Sequence, residues 1–469
     1  MKVRFRKLLF AGLLFIVCFA GAASADLAKQ INSIINGSSQ KKVIFSIQIA
    51  KAESGKVIYS YKGNRVMIPA SNMKIVTTAA ALEYLGPNFE YTTIIGLSGD
   101  MLVVIGSGDP LLGDDVTDER YGREAGWIFK DIAAALKAAG QKKIKDIIVD
   151  STVFDDERVN PSWSRNDLNR WYACEVAGLN YNGNCVEITA TNTSNKVELT
   201  VEPASSFIKI TNNVKPIQTG RGAVGSYRQP AVNDIVVFGK CREKQGPINV
   251  AIERPAAFFG FLLAEELTGA GINVTGQFIE KKCEPDTKIK ELLSCRTKLS
   301  DVLTRCNKDS FGLAAEALLK TIAANANRYG ENGGWEAGRG LISRYLVQLG
   351  VDRNELYIDD GSGLSRENRL SANAITKVLV DVYNSKNRSL YEDSLAAGGI
   401  DGTISRYFKE EKYKGKVLGK TGYIDGVKTF SGLCQTSDGD YIFSILANNT
   451  NGGTRTAINK IAKAIIDEY

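Results

Sequence analysis

Histidine does not occur anywhere in the 469 residues. Its absence excludes Ser-His-Asp and Cys-His catalysts and every His-ligated metal site, so any acyl-transfer chemistry must draw its base from another side chain. Lysine is the leading candidate. No two cysteines are spaced Cys-x-x-Cys, which disfavours a zinc ribbon, and neither a metal nor a cofactor is expected. Seven cysteines lie beyond residue 25, at Cys174, Cys185, Cys241, Cys283, Cys295, Cys306 and Cys434. If the chain is exported, disulfides are favoured, with Cys174/Cys185, Cys241/Cys283 and Cys295/Cys306 as candidate pairs. Cys434, inside the strand-like "TFSGLCQT", reads as a buried inert thiol. A dominant sign of charge is lacking too. Four of the 59 basic residues fall in the first 25, leaving 55 against 52 acids, which argues against a nucleic-acid partner. There is no internal repeat. At 44% hydrophobic and 24% charged residues the composition is globular, with two to four domains expected at about 100 to 200 residues each.

The one long apolar run is at the start, in "MKVRFRKLLFAGLLFIVCFAGAASADL". Four basic residues precede an apolar stretch from Leu8 to Ala20, and Ala23-Ser24-Ala25 offers a small-residue cleavage site. The run is short for a membrane span, so residues 1–25 read as a secretory signal peptide. Cys18 is preceded by Val17 rather than the small residue a lipoprotein signal needs. The expectation is a free, exported protein, periplasmic or extracellular, with no integral membrane anchor after cleavage.

Alternating patterns predict strands at "VIFSIQIA" and "KVIYSYK", joined by a Glu53-Ser54-Gly55 turn. A helix follows through "SNMKIVTTAAALEYL" and stops at Gly86-Pro87. From about 97 to 295 the texture is short β-like runs interrupted by two helices, "WIFKDIAAALKAAG" and "PAAFFGFLLAEELTGAG", which suggests one or two inserted β-rich domains. Helices return in "FGLAAEALLKTIAANA", "GWEAGRGLISRYLVQLG" and "SANAITKVLVDVYNS". Strands "KVLGKTGYI", "VKTFSGLCQT" and "DYIFSILANN" and a helix from Thr454 close the chain. Strands, then helices, then strands predict an α+β domain, over 26–96 and 296–469, whose sheet both chain ends complete.

A lysine-based acyl-transfer site needs a serine and a lysine on one helical turn, a second cation, and a glycine-containing strand that offers backbone N–H groups. Ser-x-x-Lys occurs four times, at Ser38/Lys41, Ser39/Lys42, Ser71/Lys74 and Ser206/Lys209. The first two lie in the polar loop "INGSSQKK". The last falls on an alternating strand, where i and i+3 face opposite sides. Ser71 and Lys74 start a helix that is apolar on all sides, where i and i+3 share a face. A lysine there is costly unless it has work to do. Lys420-Thr421-Gly422 is the only Lys-Thr-Gly in the chain, and Gly422 would admit a close backbone approach.

With "PASNMKIVTTAAALEYLGP", "GSGDPLL", "DGSGLSRENRLS", "GGIDGTISRYF" and "GKTGYIDGV", in that order, the chain resembles the penicillin-binding D-alanyl-D-alanine carboxypeptidases/endopeptidases that carry a large insertion between their first two motifs. The resemblance implies a serine β-lactamase-like α/β/α domain interrupted by one or two further domains. It implies peptidoglycan D-Ala-D-Ala stem peptides as substrate and β-lactams as inhibitors. By the same resemblance Ser71 is the acyl-forming nucleophile, Lys74 its base, Ser310 a proton relay, and Lys420 and Thr421 the holders of the terminal carboxylate. Gly422 lies on the same strand, and the N–H groups of Ser71 and Tyr423 form the oxyanion hole. The second motif departs from the family's Ser-x-Asn: it reads Ser310-Phe311-Gly312, with Glu316 at the expected acidic place. Restoring asparagine at 312 is therefore expected to raise acylation or peptidase rates. Ser371-Ala372-Asn373 is an unfavoured second candidate for that motif. Two alternatives follow, a serine β-lactamase and a catalytically weak penicillin- or peptidoglycan-binding protein. The first lacks a Glu-x-x-Asn between Ser310 and Lys420, and the second sits poorly with the retained Ser71, Lys74, Ser310 and Lys420.

Overall fold

Alternation in "IFSIQIAK" becomes a strand at Ile44–Lys51, which pairs antiparallel on one side with Val57–Tyr61 and on the other with Gly439–Asn448. A computed structural model describes residues 25–229, 233–326 and 332–469. Residues 1–24 of the expected signal peptide lie outside the described residues. The described residues divide into two compact units, one within 25–83, 303–310 and 340–469, the other within 84–302 and 311–339.

In the first unit six strands run in the order Ala396–Ala397, Val417–Ile424, Val427–Thr436, Gly439–Asn448, Ile44–Lys51 and Val57–Tyr61. The two chain ends thus share one sheet, as the strand–helix–strand pattern predicts. Alternate residues then decide the layers. Phe45, Ile47 and Ile49, with Tyr441, Phe443 and Ile445, face the helices at residues 25–35 and Thr454–Glu468, packing on Leu27, Ile31, Ile458, Ile461 and Ile465. Each such buried side chain contributes about 1.5–3 kcal/mol. Ser46 and Gln48 point the other way, where Ser46 Oγ accepts from Ala372 N–H (3.4 Å) and Gln48 Nε2 donates to Asn373 Oδ1 (2.8 Å) on the helix Ala372–Tyr383. The result is a helix–sheet–helix sandwich. Asp425-Gly426 turns Val417–Ile424 back into Val427–Thr436, with Gly426 at φ 74°, a conformation glycine takes without strain.

In the second unit a five-stranded sheet, ordered Phe278–Glu280, Ile147–Asp150, Met101–Ile105, Glu90–Ser98 and Lys290–Lys298, packs on the helices Trp127–Ala138 and Pro255–Gly269. Strands Glu90–Ser98 and Lys290–Lys298, which cross positions 97 and 295, pair antiparallel. The unit also holds two three-stranded sheets, one of Lys244–Ala251, Cys185–Thr193 and Lys196–Glu202, the other of Ala223–Arg228, Asp234–Cys241 and Lys209–Pro216. Among the described residues no helix is long and apolar enough to cross a membrane.

Three sequence expectations change here. All seven cysteines are free thiols, against the three candidate pairs. Cys241 donates from its sulfur to the Ala190 carbonyl (3.4 Å), whereas Cys283 follows a strand of another sheet and gives its backbone N–H to Asp150 (2.7 Å). Cys295 sits on a strand and Cys306 inside the helix Leu299–Lys308. Cys174 and Cys185 are buried, and burial pushes Cys174 up to about 12 and Cys185 well above its ordinary value, which disfavours the thiolate that disulfide formation needs. Cys434 is buried, as expected of an inert thiol. Ser206 lies in a turn before Lys209–Pro216 rather than on the strand, with its N–H and hydroxyl both on Glu265. Ser38 and Ser39 form a short 3-10 turn, Ser38–Gln40, rather than an open loop.

Candidate active site

Ser71 lies in a 3-10 turn, Ala70–Asn72, that runs directly into the helix Met73–Leu85. Residues 73–82 of that helix are all buried, and Lys74 is 2% exposed. Its Nζ donates to Ser71 Oγ at 3.3 Å and to the Ser362 carbonyl at 2.7 Å. Ser362 belongs to a loop shaped by one carboxylate: Asp360 accepts from the N–H groups of Gly363 (2.7 Å) and Ser365 (2.6 Å) and from Asn368 Nδ2 (2.7 Å). Gly363, at φ 81°, passes so close to Ala70 that a Cβ would come within 1.8 Å of the Ala70 carbonyl. Only glycine lets the loop reach the turn that carries Ser71.

The strand Val417–Ile424 supplies the second cation. Lys420 is fully buried, and its Nζ donates to Ser310 Oγ and to the Thr421 carbonyl, both at 2.8 Å. Ser310 follows the helix Leu299–Lys308 at φ 63°, a left-handed conformation that costs a non-glycine residue about 1–2 kcal/mol. Burial first, and the Lys74 cation second, hold the Lys420 amine well below its usual range. Two ammonium groups in so dry a space are mutually costly, so the site favours a charge state in which one of them has given up its proton.

Close backbone contact joins the two halves of the constellation. A Cβ on Gly422 would stand 3.0 Å from the Ser71 nitrogen, 3.0 Å from the Pro69 carbonyl and 2.2 Å from Thr429 Oγ1. The Ser71 N–H and the strand beyond Gly422 are therefore neighbours. Asn72 locks that approach. Oriented so that both ends are satisfied, its amide nitrogen meets the Lys420 carbonyl (2.8 Å) and Thr429 Oγ1 (2.9 Å), and its oxygen accepts from the Ser431 N–H (3.2 Å) and hydroxyl (2.6 Å). Thr429 in turn donates to the Pro69 carbonyl at 2.9 Å. From outside, Arg455 donates to the carbonyls of Gly422 (3.0 Å) and Thr429 (3.1 Å). Thr421 and Tyr423 share the next face of the strand; Thr421 Oγ1 bonds Thr403 Oγ1 (3.0 Å), and Tyr423 is 67% exposed.

Ser71, Lys74, Ser310, Lys420, Thr421, Gly422 and Tyr423 thus all fall in the first unit. Gly312 and Glu316 belong to the second. Gly312 opens the helix Gly312–Ala326, and a Cβ there would meet the Tyr172 carbonyl at 3.3 Å, so the backbone of Tyr172 lies against the position where the family carries asparagine. Glu316 is buried and accepts from Trp335 Nε1 at 2.8 Å. Ser371 instead caps its helix, accepting from the Ala374 N–H (2.9 Å) and bonding Glu355, which is a structural role. Asn72, Ser362, Thr403, Thr429 and Ser431 are parts that reading the chain did not find. Asn72 sits inside the first motif as a polar residue in an otherwise apolar helix start, and Ser362 and Thr403 lie inside the segments "DGSGLSRENRLS" and "GGIDGTISRYF"; Thr429 and Ser431 carry no local signal.

Residues 27–468 match the family described as D-Ala-D-Ala carboxypeptidase 3 (S13). A D-alanyl-D-alanine carboxypeptidase of Actinomadura sp. (strain R39) is 28% identical over 96% of this chain and 86% of its own length. The carboxypeptidase DacB of Haemophilus influenzae is 24% identical over 82% of this chain and 81% of its own length. Among solved structures, penicillin binding protein 4 of Haemophilus influenzae shares the fold at TM-score 0.77 and 22% identity, covering 95% of this chain and 98% of its own.

Proposed function

The chain belongs to the D-Ala-D-Ala carboxypeptidase 3 (S13) family and is a serine D-alanyl-D-alanine peptidase, and from that premise we propose that it cleaves the terminal peptide bond of peptidoglycan stem peptides through an acyl-enzyme on Ser71. The observation that supports this reading is the two hydrogen-bonded pairs, Lys74 with Ser71 and Lys420 with Ser310, within one compact unit and beside a strand pressed against the Ser71 N–H.

Ser71 Oγ attacks the carbonyl carbon of the penultimate D-alanine, and its proton passes to a neutral Lys74 amine. The oxyanion is met by the N–H groups of Ser71 and Tyr423. An anionic substrate terminus beside Lys420 favours that lysine's ammonium form, and the charge so fixed disfavours protonation of Lys74, which keeps the base ready. Ser310 Oγ, bonded to Lys420, then relays to the leaving nitrogen the proton that Lys74 took from Ser71, which returns Lys74 to the neutral amine. The C–N bond breaks, D-alanine departs, and water hydrolyses the Ser71 ester with Lys74 again accepting a proton. A β-lactam enters the same sequence but keeps its amine tethered after ring opening, so it acylates and inhibits. We place the protein outside the cytoplasm, after removal of residues 1–25.

Labelled penicillin tests the assignment. Wild type should take up one equivalent on the peptide that contains Ser71, and Ser71→Ala should take up none; label retained in Ser71→Ala would refute the nucleophile. Release of D-alanine from a D-Ala-D-Ala peptide, with slow turnover of a chromogenic β-lactam, separates a peptidase from a β-lactamase or an inert binding protein.

A further inference from the structure

Thr403 lies in the segment "GGIDGTISRYF" with no role assigned to it by the sequence, yet its hydroxyl lies 3.0 Å from that of Thr421. The segment that carries it is held from two directions. The Asp401 carboxylate accepts from Lys308 Nζ (2.6 Å) and from the Ala397 N–H (2.8 Å). Gly402, at φ 56°, is packed so that a Cβ would come within 2.7 Å of the Lys308 carbonyl. Lys308 precedes Ser310 by two residues, and Ser310 accepts from Lys420. The turn that sets Ser310 therefore also sets Thr403 against Thr421.

We propose that Thr403 is a substrate-binding residue which, together with Thr421, donates a hydrogen bond to the terminal carboxylate of the peptide; this rests on the peptidase reading given above. A hydroxyl has one proton to donate. At rest one of the two protons is used between the threonines, and an arriving carboxylate accepts from both. Two donors 3.0 Å apart suit the two oxygens of one carboxylate. Tyr423, the next side chain on the face of Thr421, is 67% exposed, so the hydroxyl beside Thr421 comes from Thr403. Lys420, next to Thr421 in the strand and bonded through its Nζ to the Thr421 carbonyl, supplies the matching charge once it is protonated.

The experiment uses the purified full chain and two substrates, a peptide ending in D-Ala-D-Ala with a free carboxylate and the same peptide as its C-terminal methyl ester. Thr403→Val should lower kcat/KM on the free carboxylate by roughly tenfold, mainly through KM, with less than about a twofold change on the ester. Thr403→Ser, which keeps the hydroxyl, should retain at least about half of the wild-type value. Equal losses on both substrates would make Thr403 a packing residue, and no loss on the carboxylate would remove it from the site; either overturns the inference alone. Failure of wild type to release D-alanine would overturn the peptidase reading and this inference with it.

Discussion

Replacing Gly422 with alanine should separate the stability of the site from its chemistry. The new Cβ would fall 2.2 Å from Thr429 Oγ1, far inside contact, and 3.0 Å from both the Pro69 carbonyl and the Ser71 nitrogen. Thr429 would have to turn away, leaving the buried Pro69 carbonyl and the Asn72 amide without a partner they now hold at 2.9 Å. The Pro69 carbonyl keeps the Asn72 N–H and the Asn72 amide keeps the Lys420 carbonyl, so each lost hydrogen bond costs about 1 kcal/mol, and with overpacking at about 1–3 kcal/mol roughly 2–4 kcal/mol is expected in total. For a body of this size that lowers Tm by roughly 5–15 °C. The rate effect has another origin. Pushing the strand off Ser71 shifts the Tyr423 N–H, and if that N–H is an oxyanion donor, as proposed, its loss reduces acylation by about 10²–10³. Thr429→Ala removes the worst collision but leaves those with Pro69 and Ser71. The double variant should therefore recover the Tm of Thr429→Ala while acylation by a fluorescent penicillin, followed by stopped flow, stays slow. If Gly422→Ala acylates within about threefold of wild type, or if the double variant regains the full rate, the strand does not form the oxyanion hole as argued.

Two other perturbations bear on charge and on the second motif. Because burial and Lys74 depress Lys420, the unfolded chain binds more protons than the folded one between its folded pKa and the ordinary 10.5, and stability rises with pH through that window. Lys420→Met should thus be more stable than wild type near neutral pH, with the gain shrinking as pH approaches 10.5; urea denaturation at about pH 7 and about pH 10 measures this, and a gain that grows with pH would contradict it. Gly312→Asn, which sequence reasoning expects to raise the rate, meets the Tyr172 carbonyl 3.3 Å from its Cβ. The structure instead predicts a loss of about 1 kcal/mol and no more than about a threefold change in acylation; a tenfold rise would show that the missing amide limits the enzyme.

Much of the fold is written locally. The alternation of Phe45, Ile47 and Ile49 against Ser46 and Gln48 determines a strand with two different faces, and the all-round apolar run after Met73 determines a buried helix. Helix context, the single Lys-Thr-Gly and the absence of histidine were enough to point to lysine-based acyl transfer and to nominate Ser71, Lys74 and Lys420, while Ser310 came from the family resemblance. What the chain could not reveal is what those residues touch. Ser362 reaches Lys74 across 288 positions and Asn72 meets Ser431 across 359, and such contacts leave no periodic trace because they join single atoms of distant segments. The same holds for the cysteines. Their spacing suggests pairs, but pairing depends on the strands and helices that carry the sulfurs, and those direct Cys241 to a carbonyl and set Cys306 within a helix. Gly312 is the clearest division between the two levels: the residue itself shows that a side-chain amide is missing, and only the folded chain shows that the Tyr172 backbone lies against the place it would need.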